Sequence, residues 1–342
     1  MSGPQSVSEL LRTEPPLLSV EEAREIALDL YGVTGEFTRL SSERDANFCI
    51  RTGGGSAFVF KVTNSKEPLE FTDFQIGALQ HLECHAPDIP VPRHIPNRWG
   101  EPHAPHGSGG RVRLLSYLEG QLLYGREISP TLRRSIAATA ARLAQSLASY
   151  ESDYGGPELL WDIKNAEKLS PMVHAISSTE LRDMVEKHIE RFRFGIVPKL
   201  TSLRSQVVHG DLNPHNILAS PEEVTGLLDF GDMVRTPLVC DVAITASYQM
   251  DMADPLRTMG QFVAAWNAEY PLLESEVEIL PDLIATRLVT VITVASWRAE
   301  RYPENAAYIL RNVERAGQSF AALTSMGMER VGTMLKVSLE TS

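Results

Sequence analysis

The sequence predicts an α+β fold of two lobes, a small antiparallel-sheet lobe over residues 17–117 and a larger, mainly helical lobe over 118–342. Three observations lead there. Between Phe37 and Thr63 apolar residues alternate with others at period two, and Gly53-Gly54-Gly55-Ser56 parts the two runs, as a strand, a tight turn and a returning strand require. Beyond Gly120 the patterning is helical almost throughout. The 342 residues, 43% apolar and 22% charged, can bury a core large enough for such a body.

Taken in order, residues 1–16 mix Ser, Gln, Glu and Pro without a basic start and apolar run, so they read as a flexible lead-in rather than a secretory signal. Ser19-Val20-Glu21-Glu22 is a capping box, and Val20, Ala23, Ile26, Ala27 and Leu30 follow at helical spacing until Gly32. After the hairpin come a helix from Pro68 to Cys84, a Pro-, His- and Gly-rich loop from Pro87 to Gly110, and a strand from Val112 to Leu118. The second lobe predicts helices over Pro130–Tyr150, Thr179–Phe194, Pro255–Tyr270, Pro281–Arg298 and Pro303–Met326, with short strands at Gln206–Val208 and Thr225–Asp229. The apolar stretch Ile279–Trp297 is interrupted by Pro281, Asp282 and Arg287. It falls short of an uninterrupted membrane span and reads as a buried helix, so no membrane partner is expected.

The net charge of −12 argues against a nucleic-acid partner, which asks for a concentrated basic surface, and favours a small ligand. Cys49, Cys84 and Cys240 are far apart and form no CxxC pair, which suits a reducing cytoplasm. His81 and His85 stand one helical turn apart, but without a further ligand nearby they make no metal site. Oligomeric state is left open.

The chemistry concentrates in Val207-Val208-His209-Gly210-Asp211-Leu212-Asn213-Pro214-His215-Asn216, followed by Leu228-Asp229-Phe230-Gly231-Asp232. Phosphoryl transfer to a hydroxyl needs a carboxylate within hydrogen-bond reach of that hydroxyl and oxygen ligands for the Mg²⁺ that bridges the triphosphate. Asp211 suits the first role, and Asn216 with Asp229 the second. His209 is expected to orient the loop, and Asp241 to cap the next helix and brace the loop. The partners are then a nucleoside triphosphate and a small-molecule substrate.

These two blocks resemble the catalytic and metal-binding loops of the aminoglycoside phosphotransferase and choline kinase superfamily, which shares the protein-kinase-like fold. The resemblance implies that Lys61, ending Ala57-Phe58-Val59-Phe60-Lys61, holds the triphosphate, with Asp73 as its helix-borne acidic partner. It implies a nucleotide-covering loop over Ser41–Asn47, with Ser42 and Asn47 among its contacts, and a hinge at Ser116, Tyr117 and Leu118 that hydrogen-bonds the purine. The triple glycine reads as a hairpin turn instead, since no GxxxxGK[ST] is present.

The segments Asp229-Phe230-Gly231-Asp232-Met233, Asp241-Val242-Ala243-Ile244-Thr245, Tyr302-Pro303-Glu304-Asn305 and Trp161-Asp162-Ile163-Lys164-Asn165 look like the hydroxylysine kinase branch. That implies 5-hydroxy-L-lysine or a related amino alcohol as acceptor, and GTP or ATP as donor. A cationic amine needs carboxylates and aromatic faces, for which Trp161, Asp162, Asp232, Trp297 and Tyr302 are candidates. Aminoglycoside, homoserine or choline remains an alternative acceptor for the same machinery. A pseudokinase would have no need of the intact Lys61, Asp211, Asn216 and Asp229. A protein kinase would need a longer segment between Asp229 and Asp241.

Overall fold

The computed structural model describes residues 15–42, 44–107 and 109–340. The expected lead-in therefore lies outside the described residues except for Pro15 and Pro16, which are irregular. The chain divides into two compact units, one of residues 1–121, 150–158 and 225–228 and one of residues 122–149, 159–224 and 229–342.

In the first unit, helix α1 (Val20–Tyr31) opens on the reciprocal Ser19–Glu22 capping box and closes on Gly32 at φ 67°. Strands β1 (Glu36–Leu40), β2 (Ala46–Arg51) and β3 (Ala57–Val62) follow, then α2 (Leu69–His85), β4 (His94–Ile95), β5 (Ala104–His106) and β6 (Gly110–Ser116). They form one antiparallel sheet in the order β1-β2-β3-β6-β4, with β5 also on β6. The two short strands fall within the Pro- and His-rich segment expected to be loop. The triple glycine makes the β2–β3 turn, where Thr52 N donates to Ser56 O at 2.9 Å.

Period-two alternation gives the sheet its two faces. Phe48, Phe60 and Leu114 stand abreast in register and pack with Ala23 and Ala27 of α1. Asn47, Lys61 and Arg113 stand abreast on the other face. There the buried Arg113 guanidinium donates to Gln75 Oε1 of α2 at 2.6 Å, which ties the helix to that face. Segment 150–158 joins this unit through Tyr150 and Tyr154, whose rings pack on Phe74.

The second unit is mostly helical, as expected. After β7 (Gln121–Leu122) come α3 (Pro130–Leu147), a long 3₁₀ segment (Ile163–Ala175), α4 (Thr179–Arg191), a wider turn (Phe192–Ile196) and α5 (Val197–Leu200). Then follow β8 (Ser205–Val208), β9 (Ile217–Ala219) and β11 (Val234–Pro237), while β10 (Val224–Leu227), between β9 and β11 in sequence, falls in the first unit except for Val224. The helices α6 (Leu238–Ser247), α7 (Pro255–Glu269), α8 (Glu274–Arg301), α9 (Ala306–Ile309), α10 (Val313–Met326) and α11 (Met328–Glu340) complete it.

Helix α8 departs from the expectation at its start. It begins seven residues before Pro281, because Leu273 N donates to Glu276 Oε2 at 2.8 Å and caps an earlier first turn. Pro281 therefore sits inside the helix, and burial of almost the whole helix surface outweighs its missing N–H. At 28 residues α8 is long and apolar enough to cross a membrane by length and composition, but 94% of its most apolar window is buried within the protein. The expected Pro303–Met326 helix is broken by 3₁₀ turns at Pro303–Asn305 and Leu310–Asn312.

Candidate active site

The catalytic segment begins where β8 ends. Val207 and Val208 are buried, and β8 pairs antiparallel with β11, Val208 opposite Val234. His209 is wholly buried and meets the Phe230 ring edge-on at 4.8 Å. Gly210 adopts φ +80°, and a Cβ there would lie 2.4 Å from Asp232 O, so the chain passes only because the residue is glycine. Gly210 N donates to Asp241 Oδ1 at 2.9 Å. Asp241 thus braces the loop as expected, but it sits inside α6 rather than capping it, and burial pushes its carboxyl up to about 6.

The next residue is held by three side-chain donors. Asp211 Oδ2 accepts from Asn213 Nδ2 at 2.7 Å and Asn216 Nδ2 at 3.1 Å. Its Oδ1 accepts from Arg287 Nη2 of α8 at 2.5 Å. Burial pushes the Asp211 carboxyl up, the Arg287 charge opposes that, and Asp232 and Asp229 add to the rise, which leaves it at about 7. Each carboxylate oxygen has two lone-pair sites, so Oδ1 keeps one for an incoming hydroxyl.

Asn216 Nδ2 also donates to Asp211 O at 2.9 Å. Its amide nitrogen is therefore engaged by Asp211, and its Oδ1 is the atom expected to serve a metal. Asp229 is the only non-glycine residue with positive φ among the described residues, at 58°. Such a conformation costs on the order of 1–3 kcal/mol, and an Oδ1 bond from Gly231 N at 3.1 Å helps hold it. Two hard oxygen donors suit a Mg²⁺ completed by phosphate and water, which seldom takes an all-protein cage. No cluster of three His, Cys, Asp or Glu fit for a metal occurs among the described residues.

In the first unit Lys61 Nζ lies 2.7 Å from Asp45 Oδ2. This corrects the expected Lys61–Asp73 pair. Helix α2 turns Phe71, Phe74 and Gln75 inward, so Asp73 faces outward, where its Oδ1 meets His103 Nε2 at 3.0 Å. Asp45 also accepts from Asn64 N at 3.1 Å, and its own N donates to Ser42 Oγ at 3.2 Å. Ser42 therefore shapes the loop before β2, while Asn47 Oδ1 is buried without a hydrogen-bond partner. At the expected hinge, Ser116 N donates to Arg93 O and Tyr117 N to Ala57 O, so neither amide is open to a purine. Leu118, the third residue expected at the hinge, lies two residues beyond the strand end.

Residues 36–275 match the phosphotransferase enzyme family, APH. The chain belongs to that family. As an APH member it is a phosphotransferase with an alcohol group as acceptor, and a nucleotide is its phosphoryl donor. It is 28% identical to a hydroxylysine kinase of Danio rerio over 336 residues, 92% of this chain and 94% of that protein. It is also 28% identical to a homoserine kinase of Rhizobium rhizogenes over 246 residues, 66% and 72% of the two chains. In fold it is similar to the amicoumacin kinase hAmiN, solved with AMP-PNP and Ca²⁺, with a TM-score of 0.65 at 16% identity over 87% of this chain and 94% of that one. The protein-kinase-like fold and the hydroxylysine kinase resemblance both stand.

The APH chain sorts its expected acceptor residues unequally. The charge of Asp232 reaches Asp211, and Trp161 lies 5.8 Å from the Arg287 guanidinium. Asp162, by contrast, is buried, accepts from Thr236 Oγ1 at 2.9 Å and pairs with Lys164 at 3.0 Å. Its charge is spent fastening the 3₁₀ segment to β11, a correction to its expected role with an amine. Trp297 stacks under Arg301 at 4.1 Å, and Tyr302 packs on Ala295, Ala299 and Ile309. Trp297, ten residues beyond Arg287 on α8, stands about 15 Å along the helix axis from it, and Tyr302 lies just past the helix end.

Sequence reasoning missed Arg287 and Asp45. Arg287 was in view as a charge interrupting an apolar run, and that interruption was its signal.

Proposed function

We propose that this phosphotransferase moves the γ-phosphoryl group of ATP or GTP onto the side-chain hydroxyl of 5-hydroxy-L-lysine. The observation that carries the reading is the Asp211 carboxylate, fixed on both oxygens and held at about 7 with one lone pair open. The acceptor oxygen bonds to the γ-phosphorus as the bond from phosphorus to the β–γ bridging oxygen breaks, the hydroxyl proton passes to Asp211, and a nucleoside diphosphate leaves. Asn216 and Asp229 would hold Mg²⁺, which neutralises triphosphate charge when bound. Lys61, paired with Asp45 at 2.7 Å, is the residue we assign to the triphosphate. Asp232 takes an amine of the acceptor. The hydroxylysine kinase relatives favour this acceptor, and the homoserine kinase matches name the first competitor.

The test is phosphate transfer from ATP and GTP, with Mg²⁺, to 5-hydroxylysine, homoserine, choline, ethanolamine and an aminoglycoside. Turnover of hydroxylysine well above the others is expected. Preference for another member replaces the acceptor, and nucleotide binding without any transfer defeats the reading.

A further inference from the structure

Arg287 is the one buried guanidinium that touches the expected base. Its side chain is 3% exposed, and Nη2 alone is engaged, by Asp211 Oδ1 at 2.5 Å and Tyr248 Oη at 3.0 Å. Nε and Nη1 are buried and meet no hydrogen-bond partner. The rings of Trp161 and Tyr248 lie 5.8 and 5.7 Å from the guanidinium carbon, so apolar surface lies beside it while those two nitrogens lack acceptors. A buried donor without an acceptor costs about 1–3 kcal/mol, and more when charged, so such a group is retained where a ligand completes it.

In a chain of net charge −12, a buried guanidinium with two unmet donors beside a carboxylate marks a place for an anionic group. A phosphoryl donor's charge is already provided for by Lys61 and the metal ligands. The group left to supply is on the acceptor.

We infer that the acceptor carries a carboxylate, and that Arg287 reads it through Nη1 while Nη2 stays on Asp211. The acceptor class is then a hydroxylated amino acid, its amine toward Asp232 and its carboxylate on Arg287, rather than a bare amino alcohol or an aminoglycoside. This rests on the kinase reading above and makes Arg287 the residue that sets acceptor specificity. It also links recognition to chemistry, since one side chain touches both the carboxylate and the base.

The experiment compares matched pairs on the wild-type protein: 5-hydroxylysine and homoserine, each against its decarboxylated amino alcohol and its carboxamide. The carboxylate member of each pair should lead by at least about thirtyfold in kcat/KM, mostly through KM, as an unmet charged partner implies. In Arg287→Met the lead should collapse to within about threefold, even though loss of the Asp211 contact lowers kcat for every acceptor. Arg287→Lys, which keeps a cation there, should retain part of the lead. Equal turnover within the wild-type pairs overturns the inference and leaves the kinase reading intact, without need of any variant. A lead that survives in folded Arg287→Met overturns the role of Arg287. Absence of turnover on every member overturns both.

Discussion

Two buried carboxylate–cation pairs, one in each unit, look alike and behave oppositely. Asp45 meets Lys61 at 2.7 Å, and Asp211 meets Arg287 at 2.5 Å. Burial pushes Asp45 up, but Lys61, helped by Arg44 and Arg113, outweighs it and holds the carboxyl below its ordinary value. Burial pushes Asp211 up as well, and Arg287 fails to bring it back because Asp232 and Asp229 stand near. Burial is the largest influence at both sites, and the charges beyond the contact partner add to the cation's pull at Asp45 and oppose it at Asp211. One pair holds its carboxylate ionised and shapes a loop, and the other is the carboxylate we propose as the base.

The largest effect that sharpens this contrast is on turnover. Asp211→Asn should lower kcat by about 10²–10⁴-fold while nucleotide affinity stays within about threefold, measured by steady-state kinetics and direct nucleotide titration. Activity within a few-fold of wild type would break the assignment. Next is stability: Asp45→Asn leaves Lys61, whose side chain is 13% exposed, without its charged partner and should cost about 2 kcal/mol in denaturant unfolding. Asp211→Asn should cost less than that, because the fold favours the charge of Asp45 and disfavours that of Asp211. If the two variants lose equal stability, the contrast fails. Smaller again, Asp229→Asn keeps a residue type that tolerates positive φ but removes a charge, and should raise the Mg²⁺ concentration for half-activity by at least about tenfold.

The smallest effect belongs to a buried cation precursor near the same helix. His188 is held at about 4 by burial, and its Nε2 meets Thr286 Oγ1 of α8 at 2.9 Å. Its folded pKa lies below the ordinary 6.5, so its contribution to stability is whole above that value and is lost as the pH falls toward about 4. His188→Gln should remove this slope from unfolding curves taken across the window. An unchanged slope would mean that other groups govern acid unfolding.

What the sequence made legible was local. Asp211, Asn216 and Asp229 announce themselves because their spacing lies within one loop and the strand end after it, and the Ser19 and Gly32 caps because each is defined within a turn. The Lys61 partner could not be read, because which acid reaches it depends on the outward turn of α2 at Asp73. Arg287 lies 76 residues from Asp211, and no periodicity links them. Its solitary charge in an apolar helix was visible, but the fold alone supplies the carboxylate it meets. Asp162 misled for the opposite reason: its neighbourhood in sequence resembles a ligand site, while Thr236 and Lys164, one of them 74 residues away, consume its oxygens.

The bond from Gly210 N to buried Asp241 bears on how this loop moves with time. Catalytic loops commonly open locally at little cost, and their amides exchange with solvent long before the core does. Here opening at Gly210 would strip a carboxylate inside α6 of its donor, so the Gly210 amide should exchange among the slowest in the chain, through global unfolding. Asp211 is then carried by a segment as rigid as the helices behind it, and the mobility that substrates require must be found elsewhere in the protein.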